Sequence, residues 1–262
     1  MARSLKSSLL FAFVITSSLT LLSSCQKGFE ADSETNPAAY SQSAQEEKEA
    51  QDEAAGAPSN EAFDIMLSEQ SPNSARRSKV SAENFVPQAN YSHLDPNQII
   101  PKKAFSEAIS FLQQYESKFK NKDFIGIIDF KQKSTQRRFY LVNLKTGSVE
   151  QFLVAHGKYS DSNHDGYATQ FSNTSGSGMS SLGAYMTAEY YSGKHGTSMR
   201  LDGLQPTNSN ARSRAVVMHE ADYVRPDLDP IGRSLGCPAV EPRYRQYLLS
   251  ALKAGALLYA SY

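Results

Sequence analysis

Cysteine and tryptophan are the residues that this sequence lacks most clearly. Its 262 residues include two cysteines and no tryptophan, so a disulfide-rich scaffold is excluded. No uninterrupted apolar run reaches the roughly 20 residues of a comfortable membrane span. The spacings His-Glu-x-x-His and His-x-His are absent, as is a basic-aromatic signature of nucleic-acid binding. These absences direct attention to the thiol of Cys237, which stands far from the other cysteine, Cys25.

The N-terminus has the pattern of an export signal. Arg3 and Lys6 precede an apolar stretch over residues 9–22, and Leu-Ser-Ser-Cys25 follows. This ending resembles the bacterial lipoprotein box, which implies removal of residues 1–24 as a signal peptide and lipidation of Cys25. Gln26 then suggests sorting to the outer membrane, facing the periplasm. The alternative is an ordinary signal peptide with a chance cysteine.

Charge divides the remaining chain. Residues 26–75 carry eleven acidic residues and two lysines, whereas residues 76–262 carry 23 basic and 16 acidic residues. The acidic stretch has few apolar residues, so it cannot bury enough surface to offset its ordering entropy. We predict a disordered tether over residues 25–79, starting at the lipidated cysteine, and one catalytic domain over residues 80–262. The excess positive charge of that domain is too weak to indicate a nucleic-acid partner.

Apolar periodicity predicts a β-rich α+β fold with mixed or antiparallel sheets and two main helices. One helix begins at Pro101 and carries apolar residues at spacings of three and four as far as Phe119. The second helix covers residues 243–253. Strands are predicted over residues 124–130, 138–144, 148–155, 184–191, 198–201, 214–224 and 256–262. No alternation of strand and helix and no internal repeat is visible, which favours a single domain.

The chemistry that we predict depends on Cys237 and His219. A thiol becomes a good nucleophile when a neighbouring imidazole takes its proton. His219 falls in a predicted strand, where packing would fix its ring, and Gly236 permits a tight turn beside Cys237. Backbone N–H groups at that turn could stabilise an oxyanion. Because side chains alternate along a strand, Glu220 points away from His219, which favours a backbone carbonyl as the third member.

The same residues resemble the YkuD-type L,D-transpeptidases, a resemblance that covers about residues 100–262. His219 is followed after seventeen residues by Cys237, within Gly232-Arg-Ser-Leu-Gly-Cys-Pro-Ala239. Other stretches also resemble one branch of that family, namely residues 154–161, 171–173, 180–183 and 200–203. The resemblance implies Cys237 as nucleophile, His219 as base, Gly236 and Cys237 as backbone donors, and Ser234 as a residue that shapes the loop.

The loop also departs from the commoner family pattern. That pattern has His where Leu235 stands and Asn where Ala239 stands. We consider His156 as a spatial substitute for the missing polar group. We also consider the basic side chains of Arg200, Arg233 and Lys194 as ligands of substrate carboxylates, although each could be an ordinary surface charge.

The resemblance implies a monomeric enzyme that acts on peptidoglycan stem peptides without a metal or cofactor. Cys237 would release a terminal D-alanine and pass the acyl group to an amine of a second stem. Hydrolysis, which would make the protein an L,D-carboxypeptidase or endopeptidase, is the alternative. A zinc peptidase and a non-catalytic cell-wall-binding lipoprotein are less favoured. The zinc ligands would come from His156, Asp161, His164, Asp165, His195 and His219.

Overall fold

The computed structural model describes residues 89–193, 195–253 and 255–262. The predicted signal peptide, the lipidation site at Cys25, the acidic tether and the first nine residues of the predicted domain lie outside the described residues. Lys194 lies outside them as well. Within the described part of the chain, no helix is both long enough and apolar enough to cross a bilayer.

The described residues form one mixed sheet of eight strands, in the order β3-β2-β1-β8-β4-β5-β6-β7. Two neighbouring pairs are parallel, β1 with β8 and β6 with β7, and the other pairs are antiparallel. The strands are β1 Phe124–Asp129, β2 Phe139–Asn143, β3 Val149–Phe152, β4 Gly183–Gly193, β5 Gly196–Gly203, β6 Val217–Glu220, β7 Ala239–Val240 and β8 Leu257–Ser261.

The two ends of this sheet approach each other just after β3. Val154 forms an antiparallel bridge with Val240 of β7, and the Ala155 amide donates to the Ala239 carbonyl oxygen at 2.9 Å. The sheet therefore curls into a barrel-like shape, which places the chain after β3 beside the loop that leads into β7. The mixed sheet and two α-helices confirm the predicted β-rich α+β class.

Within the described residues, two α-helices accompany the sheet, α1 Lys102–Gln114 and α2 Pro242–Ala251. Proline opens α2 because its fixed φ and missing N–H suit the first helical turn. Alternate residues of β1 enter two apolar clusters: Ile125 and Ile127 join the cluster that contains the buried face of α1, and Ile128 joins the cluster on the other side of the sheet. β1 is therefore buried on both faces, which explains why its sequence is a nearly continuous apolar run.

The predicted first helix and the predicted strand over residues 214–224 extend well beyond the elements that the structure shows. The first helix ends at Gln114, and Tyr115 and Phe119 instead flank a 3-10 turn, Glu116–Lys118, in which they still pack on Phe111. The predicted strand over residues 214–224 is wrong at both ends, since only Val217–Glu220 is extended in the sheet. Ala215 has a φ of 51°, so the chain turns there instead of extending.

Candidate active site

Cys237 lies two residues before β7, at the end of the loop that follows β6. Its sulfur accepts a hydrogen bond from the Val217 amide at 3.4 Å and lies 3.8 Å from the Ala215 carbonyl oxygen. Because β6 and β7 are parallel with His219 opposite Ala239, this register brings the sulfur alongside the strand that carries His219. The cysteine is partly exposed. A partly exposed thiol that receives an N–H donor is suited to reacting as a thiolate.

Gly236 is required by the backbone before the cysteine. Its φ of 127° lies in the region that L-residues with a side chain rarely adopt. A Cβ at this position would meet the Met179 carbonyl oxygen at 2.7 Å and Nη2 of Arg214 at 3.2 Å. The segment around Met179 therefore packs directly on the cysteine loop.

Ser234 holds that loop from inside. Its hydroxyl donates to the Cys237 carbonyl oxygen at 2.7 Å and accepts the Gly236 amide at 3.1 Å. Its backbone extends the sheet, because the Ser234 amide donates to the His156 carbonyl oxygen at 2.9 Å and its carbonyl oxygen accepts the Lys158 amide at 2.7 Å. Since the Gly236 N–H is engaged with this hydroxyl, its predicted role as an oxyanion donor stays a prediction.

His219 is buried at 3 % exposure on β6. Its Nδ1 lies 2.7 Å from the carbonyl oxygen of Glu220. A carbonyl oxygen only accepts, so Nδ1 carries the proton and the lone pair is on Nε2. The Glu220 carboxylate binds Nη1 of Arg245 at 2.6 Å. The prediction that a backbone carbonyl, and not this carboxylate, contacts the ring is confirmed.

A second imidazole lies against His219. The ring of His195 stacks on it with centroids 4.4 Å apart and an angle of 28° between the planes. His195 is exposed in the turn between β4 and β5. The sequence contains Gly-Lys-His-Gly, which is typical of a turn. It does not indicate that His195 contacts His219, because this contact depends on how the hairpin folds over β6.

Arg214 is a buried residue of the site that sequence reasoning missed. Its guanidinium donates to the carbonyl oxygens of Ser172 and Met179 and to the Ser177 hydroxyl, at 2.8, 2.9 and 3.1 Å. These bonds hold residues 172–181, a Gly/Ser-rich segment, against Gly236. No local pattern marks Arg214, because its partners lie 35 to 42 residues away in sequence.

The structure corrects the prediction that His156 faces the substrate. His156 is 1 % exposed, and its Nδ1 accepts from Nη2 of Arg138 at 2.7 Å. Arginine only donates, so Nε2 carries the proton and donates to Oδ2 of Asp161 at 3.1 Å. Burial, with a further contribution from the Arg138 charge, lowers the pKa of His156 to about 4. Both ring nitrogens are thus occupied inside the domain, so His156 does not replace the polar group missing at Leu235.

The two arginines predicted to bind substrate carboxylates, Arg200 and Arg233, already contact groups of the protein. Arg200 is 8 % exposed, pairs with Glu189 at 3.1 Å, and its guanidinium carbon lies 4.4 Å from the Tyr191 ring centroid. Arg233 is half-buried and donates to the carbonyl oxygens of Lys158 and Asp161. In this state Arg233 supports a loop and Arg200 is already neutralised, so their binding roles stay predictions.

The candidate zinc ligands fall into separate groups. Among the residues described here, no three His, Cys, Asp or Glu side chains converge as metal ligands would. Asp161 instead accepts the amides of Asp165 and Gly166, both at 3.0 Å, and Nε2 of His164 lies 3.2 Å from the Ile231 carbonyl oxygen. These residues act as loop formers.

Comparison with known proteins identifies the family. The profile of the L,D-transpeptidase catalytic domain matches residues 96–261. This match covers more than half of the chain, so the protein belongs to the L,D-transpeptidase catalytic domain family. A search of curated proteins finds no significant match.

Several solved structures resemble the chain. An L,D-transpeptidase from Mycobacterium smegmatis is 11 % identical, with a TM-score of 0.35, over 53 % of this chain and 59 % of that one. An L,D-transpeptidase from Mycobacterium tuberculosis H37Rv is 13 % identical, with a TM-score of 0.37, over 53 % and 58 %. Bd1075 from Bdellovibrio bacteriovorus is 13 % identical, with a TM-score of 0.33, over 56 % of this chain and 49 % of that one. The matched part spans about three fifths or less of each of these proteins.

Proposed function

We propose that this protein is a peptidoglycan L,D-transpeptidase that uses Cys237 as its nucleophile and His219 as its base. The observation that carries the proposal is the position of the sulfur, 3.4 Å from the Val217 amide on the strand that carries His219. The family membership of residues 96–261 supports the substrate class, the peptide stems of peptidoglycan. No cofactor is required, because the thiol and the imidazole supply the nucleophile and the proton transfers.

The first half-reaction forms a thioester. Nε2 of His219 takes the proton of Cys237, and the sulfur attacks the carbonyl carbon between the L-centre of a diaminopimelate and the terminal D-alanine. The carbonyl electron pair moves to oxygen, and the N–H of Cys237 stabilises the negative charge. The N–H of Gly236 could add a second donor once it releases the Ser234 hydroxyl. Collapse of this intermediate breaks the C–N bond, and the His219 imidazolium protonates the departing amine of D-alanine.

The second half-reaction transfers the acyl group. The side-chain amine of a second stem attacks the thioester, the C–S bond breaks, and the sulfur leaves as a thiolate. His219 receives the proton that the amine loses and returns one to the sulfur. With water as the acceptor, the same steps give a trimmed stem and a carboxypeptidase activity. Leu235 is partly exposed and stands where the commoner family pattern has a histidine. We propose that this substitution changes which acceptor the enzyme uses.

The N-terminal pattern leads to a proposal about location. We propose that Cys25 is lipidated after removal of residues 1–24 and that the acidic stretch connects the lipid to the catalytic domain. Gln26 favours the outer membrane, so the domain would work from its periplasmic side as a monomer on the nearby cell wall. The excess positive charge of residues 76–262, which carry 23 basic and 16 acidic residues, favours approach to a polyanionic wall.

The decisive experiment measures D-alanine release from purified tetrapeptide muropeptides. We expect complete loss in Cys237→Ala, with an unchanged melting temperature, and no effect of EDTA on the wild type. Full activity in Cys237→Ala, or loss caused by EDTA alone, would contradict the proposal. Adding an amine acceptor separates the two reactions: crosslinked products indicate transpeptidation, and unchanged formation of tripeptide indicates hydrolysis.

A further inference from the structure

The hairpin between β4 and β5 ends in a tight turn beside the candidate base. Gly193 pairs with Gly196, and the φ of 72° at Gly196 is one that glycine adopts without strain. His195 stands in this turn and is exposed to solvent. An exposed imidazole at a hairpin tip loses rotamer entropy when it is held in one position, so the contacts that hold it are informative.

The tip of the hairpin is docked on β6. A Cβ on Gly196 would lie 3.0 Å from Nη1 of Arg245 and 3.6 Å from Oε1 of Glu220. These two atoms form an ion pair of 2.6 Å. The turn therefore rests on the ion pair of Glu220, the same residue whose carbonyl oxygen binds Nδ1 of His219. This contact brings His195 over the ring of His219.

Stacking by His195 restrains the His219 ring in a way that its hydrogen bond to Glu220 does not. The bond from Nδ1 to the Glu220 carbonyl oxygen restrains one atom of the His219 ring but does not by itself determine the plane of the ring. The plane of the ring determines where Nε2 points. A second ring at 4.4 Å and 28° restrains that plane, at the short end of the separations, about 4.5–7 Å, that aromatic pairs prefer. It also covers one face of a ring that is otherwise enclosed by protein, at 3 % exposure.

We propose that His195 is a positioning residue for the reaction: by stacking on His219, it holds the imidazole plane so that Nε2 stays aligned with the sulfur of Cys237. This inference rests on the proposed function, since it assigns His195 a purpose in the same site. The role belongs to the face of the ring and not to its nitrogens. Any flat ring of similar size should therefore perform it.

The test compares His195→Ala and His195→Phe, with Thr197→Ala as a matched control. Thr197 is an exposed residue of the same hairpin and pairs with Ser192. We expect His195→Ala to lower kcat for D-alanine release about three- to tenfold, since an aromatic pair contributes a free energy of that order. KM should stay within about twofold, because only the orientation of the base changes. His195→Phe should recover most of kcat, and Thr197→Ala should behave as the wild type.

A second measurement works without peptidoglycan. The rate at which iodoacetamide alkylates Cys237 reports how well His219 activates the thiol, so it should fall in His195→Ala and recover in His195→Phe. If the wild type releases no D-alanine, the proposed function fails, and the alkylation rates still test His195. Equal rates in the wild type and His195→Ala would overturn the inference. So would a loss in His195→Phe as large as in His195→Ala, or a change confined to KM, which would indicate contact with substrate.

Discussion

The sulfur of Cys237 lies 3.4 Å from the amide nitrogen of Val217, two residues before His219 on the same strand. The proposed nucleophile and the proposed base are thus located by one backbone, and the loop through Gly236 determines where the sulfur lies relative to that strand. β6 is hydrogen-bonded to β5 on one side and to β7 on the other, so it should move little and the loop is the adjustable part of the site. Changes that loosen the loop should lower kcat more than they raise KM.

Ser234→Ala tests the loop directly. The hydroxyl of Ser234 binds both the Cys237 carbonyl oxygen and the Gly236 amide, and the residue is 5 % exposed. Removing it leaves two buried backbone groups without this partner, which should cost about 1–3 kcal/mol in the free energy of unfolding. We expect kcat for D-alanine release to fall at least about tenfold. Ser162→Ala, at an exposed position, is the control, and equal kinetics in the two variants would disprove the loop role.

Arg214→Met tests whether the Gly/Ser-rich segment must be held against the cysteine loop. Methionine keeps the apolar stem but removes the donors to Ser172, Ser177 and Met179. We expect a loss of about 2–4 kcal/mol in unfolding free energy by urea titration, since buried acceptors lose a charged donor. Arg225→Met, which breaks the exposed pair with Asp227, should cost at most about 0.5 kcal/mol. Similar costs in the two variants would contradict this account.

The buried His156 makes stability depend on pH. Its pKa is lowered to about 4 in the fold, from an ordinary value of 6.5, so the unfolded chain binds its proton more readily. The stability that neutral His156 contributes to the fold is fully present above about pH 6.5 and is lost as pH falls towards 4. The loss in the free energy of unfolding is on the order of 3 kcal/mol. Urea unfolding at pH 7 and pH 5 measures this slope. His156→Gln, which does not titrate, should show a smaller slope, and an unchanged slope would mean that another group is responsible.

Cys25→Ser tests the proposed lipid anchor. A serine cannot accept the thioether-linked lipid, so the protein should move completely from the membrane fraction to the soluble fraction. Because the construction of a lipid anchor involves only the N-terminal cysteine, Cys237→Ser should stay with the membrane. Fractionation is followed by immunoblot of cells grown identically. Membrane association of Cys25→Ser would refute lipidation at this residue.

Local patterns predicted most elements of the fold. The short apolar runs of β1 and β2 indicate buried strands, and the three-and-four spacing in α1 indicates which face of the helix is buried. These elements could therefore be predicted without knowing what they pack against. The pattern failed at Ala215, where an apolar run suggested a longer strand. The positive φ there comes from the turn that brings Arg214 and the Gly/Ser-rich segment together, a contact between distant parts of the chain.

The candidate site divides in the same way. Cys237 and His219 were predicted as a pair because their residue types and spacing carry chemistry. His156 was predicted to face the substrate, yet burial beside Arg138 and Asp161 removes it from the surface. His156 and His219 each follow a short apolar run, so the local sequence does not distinguish them. Only the packing in the folded protein separates a buried structural imidazole from the proposed base.

The sequence by itself determined the β-rich class, the cysteine and histidine pair and the separation of an acidic stretch from a mildly basic domain. Those features depend on residue type and on short spacing, which a linear pattern contains. Only the tertiary structure decided that β6 and β7 are parallel neighbours, that Arg214 lies under Gly236, and that His195 stacks on His219. Those contacts join residues that are distant in sequence, and their geometry depends on how the whole sheet curls.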